Sequence, residues 1–209
     1  IIQTYDYEMT SDQGLVYKGD TNFGFFSKQA LADQIGIRDA KPYIPSELER
    51  SRGQSFAYPT DAPMPADMMR MVDEISLYDP KGGPNKLGFI EGTAKVKEAA
   101  WFFKAHFYED PVWPGSLGLE SFMQLLKVFA WERWQDDLNL GEFAFESMAL
   151  NQVHKWVYRG QILPVDDQVT IQAVITEIDD DSKTIKADGF LTIDGRIIYQ
   201  MKDFALRIT

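Results

Sequence analysis

Ser116-Leu-Gly-Leu-Glu-Ser-Phe-Met-Gln-Leu-Leu-Lys-Val-Phe-Ala-Trp-Glu-Arg-Trp-Gln-Asp136 puts apolar side chains on nearly every face of a helix. Leu117, Leu119, Phe122, Met123, Leu125, Leu126, Val128, Phe129, Trp131 and Trp134 leave little room for a wet side. A helix of about 20 residues spans roughly 30 Å. One that is apolar most of the way round must be enclosed by other structure. The enclosing elements follow it in the chain. Gln168–Ile178, Thr184–Ile193 and Arg196–Ile208 read as long strands. Asp179-Asp180-Asp181-Ser182 and Asp194-Gly195 read as the turns between them. Phe143–Arg159 is expected as a further, bent strand. Strands joined by short polar turns form an antiparallel meander.

One buried helix wrapped by a long antiparallel sheet is an α+β hot-dog fold. The order of elements agrees with it: short N-terminal pieces, the helix, then three or four long strands. Upstream of the helix, Met69–Asp79 reads as a strand or a short helix followed by a strand. Lys81-Gly82-Gly83-Pro84-Asn85 is a turn, and Leu87–Val96 alternates as a strand. The run Ala99–Phe103 is also strand-like.

The first 62 residues read differently. Residues 1–26 are expected as a β-hairpin that turns around Ser11–Gly14. Residues 27–41 are expected as a short helix, with Ser27 as N-cap and Gly36 as stop signal. Prolines 42, 45, 59, 63 and 65 crowd a polar stretch, read as a linker wrapped over a surface. The expected organisation is therefore a terminal hairpin (1–26), a linker (27–62) and a main domain (63–209). A short echo joins the two ends. Asp12-Gln13-Gly14-Leu15-Val16-Tyr17 resembles Asp194-Gly195-Arg196-Ile197-Ile198-Tyr199, with Phe23 and Phe204 following. It suggests that residues 1–26 are the last hairpin of a preceding hot dog.

Composition narrows the function classes. The 209 residues are 44% hydrophobic, enough for a buried core. With no cysteine, disulfides, thiolate nucleophiles and Cys-based zinc sites are excluded. A net charge of −11 disfavours nucleic-acid binding, which needs clustered Lys and Arg. Lys127, Glu132 and Arg133 interrupt the longest apolar run, so no membrane span is expected. The N-terminus lacks a signal-peptide pattern, and the cytoplasm is the expected compartment. The absence of an initiator Met suggests a piece of a longer polypeptide.

The candidate chemistry lies between His106 and Gln124. Pro114 suits a helix entrance, Gly115 lets a ligand approach the backbone, and Ser116 is a good N-cap. A helix start exposes unpaired N–H groups and partial positive charge. It suits a thioester carbonyl that gains negative charge as a proton leaves the next carbon. By itself the motif reads as a plain capped helix. Glu120 lies four residues after Ser116 and four before Gln124, so the three share one face. A carboxylate on that face is either a proton donor whose pKa burial raises, or a salt-bridged surface acid. His106 is a natural base near neutral pH, although a lone histidine in apolar company is commonly a core residue. The Asp110–Pro114 turn returns the chain so that His106 can reach a helix start. His154, in a presumed strand, reads as structural.

His106-Phe107-x-x-Asp110-Pro111-Val112-x-Pro114-Gly115-x-Leu117-Gly118-Leu119-Glu120, with Gln124 after it, resembles the β-hydroxydecanoyl-acyl-carrier-protein dehydratases. The resemblance runs from about Pro65 to Leu206. It includes Gly160-Gln161-x-Leu163-Pro164 and Asp194-Gly195-Arg196-x-Ile198-Tyr199. With the N-terminal hairpin added, the chain is similar to the tandem dehydratase region of polyunsaturated fatty acid (polyketide-type) synthases.

That resemblance implies dehydration of a 3-hydroxyacyl thioester, held on an acyl carrier protein, to a 2-enoyl thioester. It implies that His106 removes the proton at C2 and that Gly115 N–H holds the thioester carbonyl. It also implies that Glu120, from a facing hot dog or a homodimer partner, protonates or orients the leaving hydroxyl. The acyl chain would lie in a tunnel beside the helix. No metal or organic cofactor is implied. Two departures stand out: Ser116 replaces the family's cysteine, and Glu120 its helical aspartate. The second leaves open whether the double bond is also isomerised. Trp113 is bulkier than the family's usual methionine and would reshape the tunnel. An acyl thioesterase, or a non-catalytic half that props up a neighbouring hot dog, are the alternative readings.

Overall fold

In the computed structural model, residues 1–32, 34–138 and 143–209 are described. They form two compact units, Ile1–Gln34 and Ile35–Thr209.

The first unit is a hairpin of β1 (Ile2–Ser11) and β2 (Gly14–Gly24), followed by α1 (Lys28–Ala32). The two strands make a sheet of their own. Ser27 Oγ accepts a hydrogen bond from Ala30 N–H at 3.2 Å, the expected N-cap. The helix is shorter than the expected 27–41. Residue 33 lies outside the described residues, and 34–41 hold no helix.

The second unit is a hot dog. Its elements are α2 (Glu47–Arg52), β3 (Gln54–Ala57), β4 (Glu74–Asp79), β5 (Phe89–Lys95), α3 (Trp101–Ala105) and α4 (Gly115–Trp134), then β6 (Lys155–Tyr158), β7 (Gln168–Asp179), β8 (Thr184–Ile193) and β9 (Arg196–Arg207). The seven strands form one antiparallel sheet in the order β3-β4-β5-β7-β8-β9-β6. Period-2 alternation sets its inner face: Val169, Ile171, Ala173 and Ile175 of β7 face inward with Ile185, Ala187, Leu191 and Ile193 of β8. Asp194 and Gly195 turn with φ of 48° and 76°, the left-handed pair that a two-residue hairpin loop requires.

The inner face closes on α4. Phe122, Leu125, Leu126, Val128 and Phe129 are at most 1% exposed. Each such side chain contributes about 1.5–3 kcal/mol by leaving water. The far end of α4 is pinned by polar contacts. Arg133 donates to both Asp180 oxygens at 2.9 and 2.8 Å, and Trp134 Nε1 donates to Asp180 Oδ1 at 2.7 Å. These donors hold the Asp180 carboxyl down at about 2. Among the described residues no helix is long and apolar enough to cross a membrane.

Three expectations are corrected. The supposed linker contains α2 and the edge strand β3, and Tyr58 just after β3 is 2% exposed. Polar bonds rather than apolar periodicity tie this segment down. Ser46 and Glu49 form a capping box. Glu49 also accepts from Tyr43 OH at 2.7 Å and from Gly83 N–H at 2.8 Å, while Gln172 Oε1 accepts from Tyr43 N–H at 2.9 Å. The run Ala99–Phe103 is not a strand. Its second half opens α3, whose Phe102 and Phe103 are buried. Of Phe143–Arg159 only β6 is a strand, with one isolated bridge between Phe145 and Ile208.

Candidate active site

α3 ends at His106, which caps it by donating its backbone N–H to Phe102 C=O. The chain then turns through Phe107–Asp110 and returns, so that Val112 N–H donates to His106 C=O at 2.9 Å. The half-buried imidazole closes the same loop: His106 Nδ1 lies 3.1 Å from Val112 O. A carbonyl only accepts, so Nδ1 carries the proton in the neutral ring and Nε2 keeps its lone pair. The Phe107 ring lies against the imidazole, tilted by 31°, at 3.7 Å between centroids.

Val112 leads directly into the entrance of α4. Trp113 is buried, its ring 4.7 Å from that of Phe102, and its backbone N–H donates to Ile162 C=O at 2.9 Å. Among the described residues no acceptor meets Trp113 Nε1. Pro114, not Ser116, is the N-cap of α4; Ser116 is exposed in the first turn and makes no capping bond among the described residues. The proline presets the backbone, and its carbonyl accepts from Leu117 N–H at 3.0 Å and Gly118 N–H at 3.4 Å. Gly115 N–H and Ser116 N–H meet no acceptor among the described residues, as the first donors of a helix do. Gly115 also has a packing reason that its sequence context did not show. A Cβ there would stand 3.1 Å from the Trp156 ring, which stacks on Tyr158.

Glu120 lies on the second turn of α4. Lys127 Nζ and Gln124 Nε2 both stand 3.0 Å from its Oε1. The Glu120 and Lys127 side chains are 28% and 15% exposed, so the ion pair is partly screened from water. Gln124 is fully buried and held at both ends of its amide. Its Oε1 accepts from Met71 N–H at 2.8 Å, and its Nε2 donates to Met69 C=O at 2.7 Å. Tyr58 OH donates to Gln124 C=O at 3.3 Å. Burial, with the Glu120 charge nearby, holds the Tyr58 hydroxyl well above its usual pKa.

The structure thus groups the expected residues into two sets. One is His106, Trp113, Pro114, Gly115 and Ser116 around the helix start. The other is Glu120 with Gln124. Among the described residues no hydrogen bond or ion pair joins His106 to Glu120 within the chain. A cleft of about 200 Å³ lies beside the first set, between the Asp67–Met71 segment, the end of β5 and α3, with Trp101, Phe102 and Trp113 in its wall.

Lys127, Tyr58 and the Met69 and Met71 backbone were not anticipated as part of the site. Lys127 is seven residues from Glu120 and so on the same face, a signal present in the spacing. Tyr58 sat in the presumed linker. Backbone partners such as Val112 C=O leave no trace in residue identity.

Residues 64–202 match the FabA-like domain. A polyunsaturated fatty acid synthase polypeptide of Thraustochytrium sp. is 31% identical over 232 aligned positions. The alignment covers 99% of this chain but 15% of that protein, so the chain spans a small part of its relative's length. Among solved structures, the dehydratase heterocomplex ApeI:P from Xenorhabdus doucetiae superposes with a TM-score of 0.46 at 11% identity, covering 79% of this chain and 91% of that one. A thioesterase from Pseudomonas aeruginosa gives 0.41 at 9% identity, with 65% and 81% covered.

Proposed function

The chain belongs to the FabA-like domain family, and on that premise we propose that it dehydrates a 3-hydroxyacyl thioester to the 2-enoyl thioester in fatty acid synthesis. The substrate arrives on the phosphopantetheine arm of an acyl carrier protein. The observation that carries the reading is the tethered imidazole. Val112 C=O holds Nδ1–H, and Nε2 is left as a base one short turn before a helix start with open N–H groups.

His106 Nε2 takes the proton from C2. The C–H pair becomes the C2=C3 bond, and the C3–O bond breaks. The hydroxyl leaves as water once a proton reaches it. Charge that gathers on the thioester oxygen during the first step is met by Gly115 N–H, with Ser116 beside it and the helix dipole behind it. Pro114 and Trp113 fix where that helix begins.

Glu120 orients or protonates the hydroxyl. One of its oxygens is occupied by Lys127 and Gln124, which leaves Oε2 for the substrate. Each of the two works with its counterpart on a facing hot dog, a second domain or a second copy; the lack of a hydrogen bond or ion pair between His106 and Glu120 among the described residues is consistent with that arrangement. No metal or organic cofactor has a role in this scheme.

The test is turnover on a 3-hydroxyacyl carrier thioester, with loss of water read by mass spectrometry. His106→Ala lowers kcat by about 10²–10⁴-fold, the range for a positioned acid or base, and leaves the circular dichroism spectrum unchanged. Glu120→Gln lowers it within the same range. Undiminished dehydration in a folded His106→Ala protein refutes the assignment. Release of free thiol from acyl thioesters, without dehydration, assigns a thioesterase instead.

A further inference from the structure

Lys127 is the one charged residue in the run Phe122–Ala130. Its neighbours Leu126 and Val128 are fully buried, and its own side chain is 15% exposed. A lysine usually carries its ammonium out to water along an apolar stem. Here the ammonium ends on Glu120 instead, with Nζ 3.0 Å from Oε1. Seven residues are about 10 Å along a helix axis. An extended lysine stem, leaning toward the helix N-terminus as helical side chains do, closes that distance. Among the described residues Glu120 is the partner of this ammonium in both hydrogen bond and ion pair.

Glu120 Oε1 is met by donors. The Gln124 amide cannot turn over, because its Oε1 accepts from Met71 N–H at 2.8 Å and its Nε2 donates to Met69 C=O at 2.7 Å. The second N–H of that amide therefore points at Glu120, 3.0 Å away. An ammonium has three donors and no acceptor. Neither neighbour can receive a proton from Oε1. A neutral Glu120 would also leave a largely buried ammonium without its counter-ion, the costly half of a broken pair. The ionisable groups nearby do not replace Lys127. Tyr58 spends its hydroxyl on Gln124 C=O at 3.3 Å, and Arg70 is paired with Asp67 at 2.8 Å.

We propose that Lys127 is a positioning residue: it keeps Glu120 a carboxylate, fixes Oε1 against the helix face and presents Oε2 to the substrate hydroxyl as an acceptor. The proposal deepens the dehydratase reading and rests on it. Glu120 then orients the 3-hydroxyl through its O–H and supplies no proton of its own.

With the carboxylate as acceptor, the elimination balances on one imidazole. His106 Nε2 takes the proton from C2, the C–H pair becomes the C2=C3 bond, and the C3–O pair leaves with the oxygen. The proton on Nε2 then passes to that oxygen. Water departs and the neutral ring returns, with Nδ1–H still on Val112 C=O.

Two measurements test it. With carboxyl-¹³C-labelled glutamate, the NMR resonance that Glu120→Gln removes belongs to Glu120, and in the parent at pH 7 it stands at the position of a carboxylate. Lys127→Met, close in length but uncharged, moves that resonance and lowers kcat for dehydration about tenfold with KM little changed. Lys127→Arg restores most of the rate. In a Glu120→Gln background Lys127→Met changes kcat by less than about twofold, because its effect passes through the carboxylate. A lysine that only braces the fold lowers the rate alike in both backgrounds. Three results overturn the inference: a Glu120 resonance at the position of a neutral acid in the parent, parent kcat in a folded Lys127→Met protein, or full additivity of the two substitutions. Failure of the dehydratase reading looks different. Turnover then survives His106→Ala, while the Glu120 resonance still reports whether Lys127 holds the carboxylate.

Discussion

Replacing Gln124 by alanine tests how the carboxylate arm of the site is built. The Gln124 amide joins three partners: Met71 N–H at 2.8 Å, Met69 C=O at 2.7 Å and Glu120 Oε1 at 3.0 Å. The three losses differ in kind. Met71 is 3% exposed, so its N–H is left without water, which costs about 1–3 kcal/mol. Met69 is 37% exposed and its carbonyl can turn to solvent at little cost. The buried stem of the glutamine adds about 1 kcal/mol in lost packing. The sum is about 2–4 kcal/mol, which lowers Tm by roughly 5–12 °C in a domain of this size.

Glu120 keeps Lys127 but loses the donor that fixes its second direction. A positioning loss near 1.4 kcal/mol lowers kcat about tenfold with KM little changed. The assay pairs thermal unfolding with steady-state dehydration. Gln124→Glu sharpens it: a second carboxylate beside Glu120 and Met69 C=O destabilises more at pH 7 than at pH 4, where the new acid can protonate. If Gln124→Ala stays within about 0.5 kcal/mol of the parent, with unchanged kcat, the clamp does not hold Glu120 and the reasoning fails.

Two further outcomes follow from packing and charge. Gly118→Ala forces a methyl into the Tyr199 ring and destabilises the fold by about 1–3 kcal/mol, while a smaller residue at 199 restores part of the loss; denaturant unfolding of the single and double variants checks both. Glu49, hydrogen-bonded by Ser46, Tyr43 and Gly83, has its carboxyl lowered to about 2. Its folded pKa lies below its unfolded one, so its stabilisation is complete above about pH 4.5 and is lost as pH falls toward 2. The amount is on the order of 2 kcal/mol once solvent screening is allowed for. Urea titrations across that window therefore show a shallower pH dependence for Glu49→Gln than for the parent.

What could be read in advance was local and periodic. The all-round apolar pattern of 116–136 announced an enclosed helix, and α4 runs from Gly115 to Trp134. Alternation and turn residues placed β7, β8 and β9 within a residue or two. Short runs were ambiguous. Ala99–Phe103 has too few residues to show a period, and packing of Phe102 against Trp113 made its second half a helix. Proline density at 42–65 hid a segment held by Glu49, because hydrogen-bonded acids leave no periodic mark.

The candidate site divides along the same line. Residue types and spacing picked out His106, the Pro114-Gly115 entrance and the Glu120–Gln124 pair, since helical neighbours four apart must meet. The partner that fixes the imidazole, the buried amide clamp and the Lys127 contact came only from the folded chain. Each depends on backbone groups or side chains whose approach is decided by packing between distant segments. Side-chain period is a property of consecutive residues, so composition and order alone determined a helix wrapped by strands. Which groups converge is a property of the folded surface, so only the tertiary structure showed His106 held by Val112 before the helix start and Glu120 held by Lys127 and Gln124 on the second turn.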